Sequence, residues 1–263
     1  MLIAQISDSH VVPAGGLASG IVDTGRMLAD CVRTLVAFSP RPDLLVLTGD
    51  LVDTGAPEEY SRLRELLQPL GMPMLAIPGN HDERAAMRAA FADQGWFEDE
   101  EFLHYVVQRG ALRVVALDTV VPGEGRGELC PRRLAWLART LAAQPSMPTL
   151  VLMHHPPFET GIGFMDALGL TGRDAFEEVV ARHSQIRLIL CGHLHRSIQT
   201  TVSGCRVLTA PSPAHQVTLD LRADGPETFI MEPPGFMLHR WTGRQFVSHL
   251  AFTGPFAGPY PFA

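Results

Sequence analysis

The chain is built from short apolar runs rich in Val, Ile and Leu, each ended abruptly by Gly, Pro, Asp, Asn or His. Runs of this kind at 2–6, 44–47, 74–77, 114–117, 150–153, 188–191 and 207–208 predict strands. Between them, apolar residues recur at helical spacing. Met27, Leu28, Cys31 and Leu35 share one face, as do Leu63, Leu66, Leu67 and Leu70, and Leu134, Leu137 and Leu141. Pro57 followed by Glu58 and Glu59 predicts a helix start, with acid near the positive end of the dipole. From about Val217 the texture changes to shorter runs, 217–221, 236–241 and 246–251, separated by Gly, Pro and Asp turns and predicted to be antiparallel strands. Residues 254–263, rich in Pro, Gly and aromatics, predict an extended arm over the body or a neighbouring subunit. The expectation is a layered α/β protein with a core over 1–216 and a C-terminal β extension and arm over 217–263 packed on it, one domain overall.

Composition narrows the function. With 263 residues and 46% hydrophobic content the chain can bury a large core. A formal charge of -7, with no block of Lys or Arg, argues against a nucleic-acid polymer or an anionic membrane as partner and favours a small substrate. The apolar stretch 1–6 is too short for a signal sequence and runs directly into Asp8 and His10. No run approaches the roughly 18 apolar residues of a membrane span, so the expected location is the cytoplasm. Cys31, Cys130, Cys191 and Cys205 lack paired metal-ligand spacing and are expected to be buried thiols.

The chemistry lies where the strands stop. The predicted strand ends are followed by Asp8-Ser9-His10, Gly49-Asp50, Gly79-Asn80-His81-Asp82, Asp118-Thr119, His154-His155-Pro156 and Gly192-His193-Leu194-His195. Parallel strands bring such ends to one rim, so residues more than a hundred positions apart converge. Two carboxylates, one amide and at least four imidazoles suit Zn, Mn, Fe or Co and are a poor set for Ca or Mg. There are too many donors for one ion, and two divalent ions sharing one carboxylate would use them.

Five of these six ordered pieces, all but Asp118-Thr119, resemble the signature of the calcineurin-like metallophosphoesterases: Asp-x-His, Gly-Asp, Gly-Asn-His-Asp/Glu, His and Gly-His-x-His. The resemblance extends over nearly the whole chain, through Ser212-Pro213-Ala214-His215-Gln216-Val217, and is to the bacterial class III cyclic nucleotide phosphodiesterases and glycerophosphodiesterases in particular. It implies that family's fold, a β-sheet sandwich flanked by helices. It also implies metal-dependent hydrolysis of a phosphodiester, a cyclic nucleotide such as cyclic AMP or a small glycerophosphodiester. Carried over residue by residue, Asp8, His10, Asp50 and His195 would hold one ion and Asp50, Asn80, His154 and His193 the other, with Asp50 as the bridge. The His two before Pro is the family's ligand, so His154 is chosen and His155 left as pocket wall or support. Metal-bound hydroxide would attack phosphorus in line, His81 would stabilise the phosphate oxygens or protonate the leaving group, and His215 would assist on the substrate side.

Competing readings exist for several residues. Asn80 alone could cap the helix beginning near Glu83. Asp118 could orient a ligand or satisfy turn donors, and Asp82 and Asp53 are the carboxylates nearest in sequence for orienting metal-bound imidazoles. His104, His183, His239 and His249 have no motif context and are expected on the surface or satisfied in the core. Substrate choice is assigned to the loops 11–23 and 158–172, which follow rim residues. A phosphomonoesterase or pyrophosphohydrolase on the same metal core is the alternative activity, and a non-catalytic metal-binding scaffold is the alternative of another class. The apolar arm and β extension predict a homo-oligomer, a dimer or higher.

Overall fold

The computed structural model describes residues 1–97, 99 and 101–262. Two sheets face each other. The first has the order β15-β14-β1-β2-β3 and is built from β1 (Leu2–Ile6), β2 (Leu44–Thr48), β3 (Met74–Ile77), β14 (Gly235–Trp241) and β15 (Phe246–Phe252). The second has the order β10-β11-β9-β7-β5-β4, from β4 (Tyr105–Arg109), β5 (Leu112–Ala116), β7 (Thr149–Leu152), β9 (Ile186–Cys191), β10 (Gln199–Val202) and β11 (Cys205–Thr209). Short pairs form between β6 (Gly127–Glu128) and β8 (Leu170–Thr171), and between β12 (Gln216–Val217) and β13 (Phe229–Ile230).

The continuous apolar runs reflect burial on both faces of the parallel strands. In β5, Val114 and Ala116 join the core shared with the first sheet, whereas the alternate residue Val115 faces a second core under the helices. That second core receives Leu137 and Leu141 from α4 (Pro131–Ala142) and Phe176, Val179 and Val180 from α6 (Arg173–Ala181). Helices α1 (Thr24–Ala37) and α2 (Pro57–Leu67) contribute Leu28, Cys31, Leu35, Leu63 and Leu67 to the first core. Each such buried side chain contributes roughly 1.5–3 kcal/mol. Helix α2 starts at Pro57 as its sequence predicts, and Glu59 accepts the backbone N–H groups of Thr54 and Ala56.

Strand β14 pairs antiparallel with β1, from Leu2 opposite Arg240 to Gln5 opposite Met237, so 235–252 widen the first sheet. The predicted strand 217–221 is shorter than expected: pairing stops at Val217. Beyond it Leu219 and Leu221 are 57% and 64% exposed, and Asp220 turns the chain by accepting the Arg222 N–H, so no burial sustains an extended strand. Helix α3 (Arg84–Ala90) begins where a helix near Glu83 is expected, whereas the edge strands β4 and β10 and the helices α5 (Gly163–Ala167) and α6 do not stand out in the apolar pattern. Strand β10 is mostly exposed, and α5 is too short for a periodic stripe.

In the first sheet β1, β2 and β3 are parallel, and in the second β5, β7, β9 and β11 are parallel. Gln5 ties the two sheets together, its amide donating to Thr48 Oγ1 and Cys191 O at 2.9 Å each. Among the described residues no helix is long and apolar enough to cross a membrane. The four cysteines are free, three of them buried.

Candidate metal centre

The carboxyl ends of β1, β2, β3, β7 and β9 meet along one crest, and each turns sharply there. Asp8, His10, Asp50, His193 and His195 all have positive φ, between 42° and 71°, a conformation rare in non-glycine residues. Backbone strain costing on the order of 1–3 kcal/mol per residue is thus concentrated on five of the seven expected ligands. Glycines complete the turns. A Cβ on Gly79 would lie 2.3 Å from both the backbone N and Oδ1 of Asp50, and one on Gly192 would lie 2.2 Å from Ser7 Oγ.

Side chains converge on three groups able to hold an ion: Asp8, His10, Asp50 and His195 form one, His154, His155 and His193 a second, and His10, Asp53 and His81 a third that shares His10 with the first. Asp50 stands between the first two: its Oδ2 lies 3.6 Å from His10 Nε2 and 3.4 Å from His154 Nε2. Its Oδ1 accepts the His81 backbone N–H at 2.8 Å. Asn80 Oδ1 approaches His154 Nε2 at 3.2 Å, on the second group's side. His10 Nε2 and His195 Nε2 face each other at 3.1 Å.

These residues fit divalent cations on three observations. The first is that every expected imidazole has one nitrogen near an oxygen acceptor, within hydrogen-bond geometry for His154, His193 and His195 and as a contact outside that geometry for His10. His10 Nδ1 lies 3.3 Å from Asp53 Oδ1, His154 Nδ1 2.8 Å from Thr48 O, His193 Nε2 3.2 Å from Leu168 O, and His195 Nδ1 3.0 Å from His215 O. A proton on that nitrogen leaves the other as a lone-pair donor, the usual support of a metal-bound histidine. The second is that Asp8 Oδ2 is buried with no hydrogen-bond partner among the described residues. The third is electrostatic: burial, reinforced by Asp50, pushes the Asp8 carboxyl up to about 6. A cation is the counter-charge such a buried pair of carboxylates lacks. Asp50 itself, despite burial, is held well below the usual carboxylate range by His154, His81 and His10.

His154 and His155 diverge. His155 Nδ1 lies 2.8 Å from Thr119 Oγ1 and its Nε2 3.1 Å from Gly125 O, so both of its nitrogens have partners in the protein, whereas His154 Nε2 points at Asp50 and Asn80. His81 is exposed, and its Nδ1 sits 2.7 Å from Asp53 O. The His215 ring lies 4.7 Å from that of His195 and 4.9 Å from that of Phe229.

Several expected roles change. Of the two carboxylates nearest in sequence, Asp53 reaches an imidazole and Asp82 does not. Asp82 Oδ2 accepts Leu51 N at 3.1 Å and Gly79 N at 2.8 Å, and its Oδ1 accepts the Tyr60 hydroxyl at 2.9 Å, so it joins the Asp50 turn to the Asn80 turn. Asp118 satisfies turn donors: it accepts Leu103 N and Val120 N and pairs with Arg84, Nε to Oδ2 at 2.6 Å. Its neighbour Thr119 is the residue that reaches a histidine. Helix α3 is capped by Glu83, whose carboxylate accepts Ala85 N and Ala86 N, which leaves Asn80 without that task. His104 and His239 are buried in the body, while His249 is exposed. Sequence reasoning missed Tyr60, for which the one available signal was a hydroxyl on the buried face of an otherwise apolar helix stripe.

Two facing sheets with a carboxylate and imidazole crest define an α/β metal-dependent hydrolase. The chain belongs to the calcineurin-like phosphoesterases, whose family model matches residues 1–197. It is 39% identical over 264 aligned positions, covering 100% of this chain and 97% of its relative, to a probable glycerophosphodiester phosphodiesterase of Arcobacter nitrofigilis. It is 33% identical to a 3',5'-cyclic adenosine monophosphate phosphodiesterase of Pseudomonas aeruginosa, covering 92% of this chain and 84% of that one. A dimetal phosphatase from Danio rerio shares the fold, with TM-score 0.70 at 15% identity over 97% of this chain and 96% of that one. The protein is a metal-binding phosphodiesterase of this family.

Proposed function

We propose that the chain hydrolyses small phosphodiesters, a cyclic nucleotide such as cyclic AMP or a glycerophosphodiester, at a centre of two divalent cations drawn from Mn, Fe, Zn and Co. The observation that carries this reading is the position of Asp50 Oδ2, faced by His10 Nε2 at 3.6 Å on one side and His154 Nε2 at 3.4 Å on the other. Asp8, His10, Asp50 and His195 hold one ion, and Asp50, Asn80, His154 and His193 the other. Bound there, the cations supply Lewis acidity and water of lowered pKa.

The rest of the mechanism belongs to the chain's own side chains. Asp53 O sits 2.7 Å from His81 Nδ1, which makes Nδ1 the protonated nitrogen and directs Nε2 outward. Nε2 carries a second proton only as the imidazolium, the form that donates to a phosphoryl oxygen or protonates a leaving alkoxide. Burial pushes His215 down to about 4, so it is a neutral imidazole at pH 7, and its Nδ1 is buried with no partner among the described residues. It is the second contact for substrate.

The same reading places the enzyme in the cytoplasm as a homo-oligomer. Exposed Leu250 and Phe252, on one face of the edge strand β15, supply an apolar contact surface for a second copy. The test is a panel of cyclic AMP, cyclic GMP, glycerophosphodiesters and paired bis-aryl and mono-aryl phosphates, assayed on protein refilled with each metal. Hydrolysis of at least one diester class in preference to the monoester is expected. A strong preference for the monoester would overturn the diesterase reading in favour of a phosphomonoesterase.

A further inference from the structure

At the end of the second sheet away from the metal centre lies a cleft of about 770 Å³. It opens between the end of α6, the start of β9, the β10–β11 turn and the start of β15, so strand ends of the second sheet and the edge strand of the first form its walls. Val180, Ile186 and Phe246 lie beneath it, all buried, so that what it presents to solvent is mostly polar. Arg187, Arg206 and Arg244 line it together with His183, and no carboxylate does among the described residues. That composition is out of character for a chain of net charge -7.

The arginines elsewhere on this protein mostly hold acids: Arg33 with Asp30, Arg62 with Glu65, Arg64 with Asp93, Arg84 with Asp118, Arg173 with Glu159 and Arg196 with Glu232. Those at the cleft do not. Arg206 donates to the Phe246 carbonyl at 2.6 Å, and the guanidinium groups of Arg187 and Arg244 have no partner among the described residues. Three guanidinium groups gathered without a counter-ion raise the local potential and offer paired donors matched to phosphate oxygens. Cys205, between them, reports their nearness: burial pushes its thiol up to about 11, against the opposing pull of Arg206 and Arg187.

From these residues we infer a second, non-catalytic anion site, taking an organic di- or triphosphate, its phosphates on Arg187, Arg206 and Arg244. The site is separate from the metal centre. Strand β9 runs from Ile186 at the cleft to Cys191, roughly 17 Å, before His193 is reached. Nothing in the inference depends on which phosphodiester the metal centre hydrolyses.

The test is calorimetric titration of the metal-loaded protein with the non-hydrolysable probes methylenediphosphonate and α,β-methylene-ADP, in the wild type and in an Arg187→Glu/Arg244→Glu variant. Neither guanidinium group has a partner among the described residues, so the variant is expected to fold and to keep wild-type turnover of a bis-aryl phosphate. Two classes of site are expected for α,β-methylene-ADP in the wild type. The double variant is expected to lose one class, or weaken it by about tenfold or more, and Asp50→Asn to leave that same class intact. A single class of site with equal affinity in wild type and double variant would overturn the inference. So would binding lost in Asp50→Asn and kept in the arginine variant, which assigns the probe to the metal centre. A third overturning result is sedimentation of the wild type with phosphatidylglycerol vesicles while neither free probe binds, which assigns the arginines to a lipid surface.

Discussion

The Tyr60 hydroxyl donates to Asp82 Oδ1 across 2.9 Å and accepts the Glu83 backbone N–H at 3.1 Å. Through this contact a helix that holds no candidate ligand sets the separation of two turns that do. Asp82 Oδ2 grips Leu51 N and Gly79 N, each adjacent in sequence to a candidate ligand, Asp50 and Asn80. Tyr60→Phe leaves one carboxylate oxygen and one backbone donor unpaired in a buried site, a cost of about 1–3 kcal/mol. Urea unfolding is expected to show that loss, and metal titration a weakened second ion. Unchanged metal affinity with lowered stability would reduce Tyr60 to a packing residue.

The adjacent histidines are expected to separate cleanly on metal analysis. His154→Ala removes a nitrogen aimed at Asp50 and Asn80, and the metal content is expected to fall towards one ion per chain. His155→Ala removes hydrogen bonds to Thr119 and Gly125 O and ring contacts to His154 and His193, but no nitrogen aimed at Asp50, so it is expected to keep both ions while losing stability. If His155→Ala alone lost metal, the assignment of the pair would be inverted.

Asp50 and His81 divide structure from turnover in the same way. Asp50→Ala is expected to abolish the paired centre. His81→Ala is expected to leave metal content at the wild-type level and lower kcat by roughly 10²–10⁴-fold, the range for a lost general acid. Metal analysis alongside steady-state rates measures both. An unchanged kcat in His81→Ala would remove it from the reaction.

Gly79→Ala is a packing test of the crest. The new methyl carbon would meet Asp50 N and Oδ1 at 2.3 Å, and neither is the end of a flexible side chain. Overpacking of this kind costs about 1–3 kcal/mol, and displacement of Asp50 is expected to weaken both ions together. Thermal unfolding of the metal-free variant reads the first effect, and metal titration the second.

Acid sensitivity is expected from histidines far from the crest. Burial pushes His239 down from 6.5 to about 3, aided by the charges of Arg206 and His249; its ring bridges Ser248 Oγ and Gln5 Oε1. A depressed folded pKa means that the unfolded chain binds the proton first. The stability contribution is therefore present above 6.5 and is lost as pH falls from 6.5 towards about 3. His104, pushed down to about 4 chiefly by burial, acts in the same direction. Urea midpoints of metal-free protein are expected to decline across this window, and His239→Gln is expected to flatten the slope. An equal slope in the variant would exclude His239 as a source.

Much of the architecture was legible because the strands are short, apolar and buried on both faces, so that runs such as 2–6 and 74–77 stand out from their turns. The exposed edge β10 lacks that contrast, and the stretch after Val217 imitates it without a partner strand to hold it. The candidate ligands were legible for a related reason. Each follows a strand end beside a glycine or another polar residue, where an isolated apolar run has no cause to stop in Asp or His.

By itself the amino-acid order determined which side chains reach the crest, through the period of the strands and the chemistry of the residues that end them. Only the tertiary structure decided how those side chains are held. Asp53 rather than Asp82 supports an imidazole, carbonyls of Thr48, Leu168 and His215 orient three others, and Tyr60 sets the spacing of two turns. Backbone carbonyls carry no residue-specific signal, and the contacts span up to 106 residues of chain. The gathering of Arg187, Arg206 and Arg244 has the same origin: they are dispersed in the sequence and become one basic cleft only when strand ends of the second sheet meet the edge strand of the first.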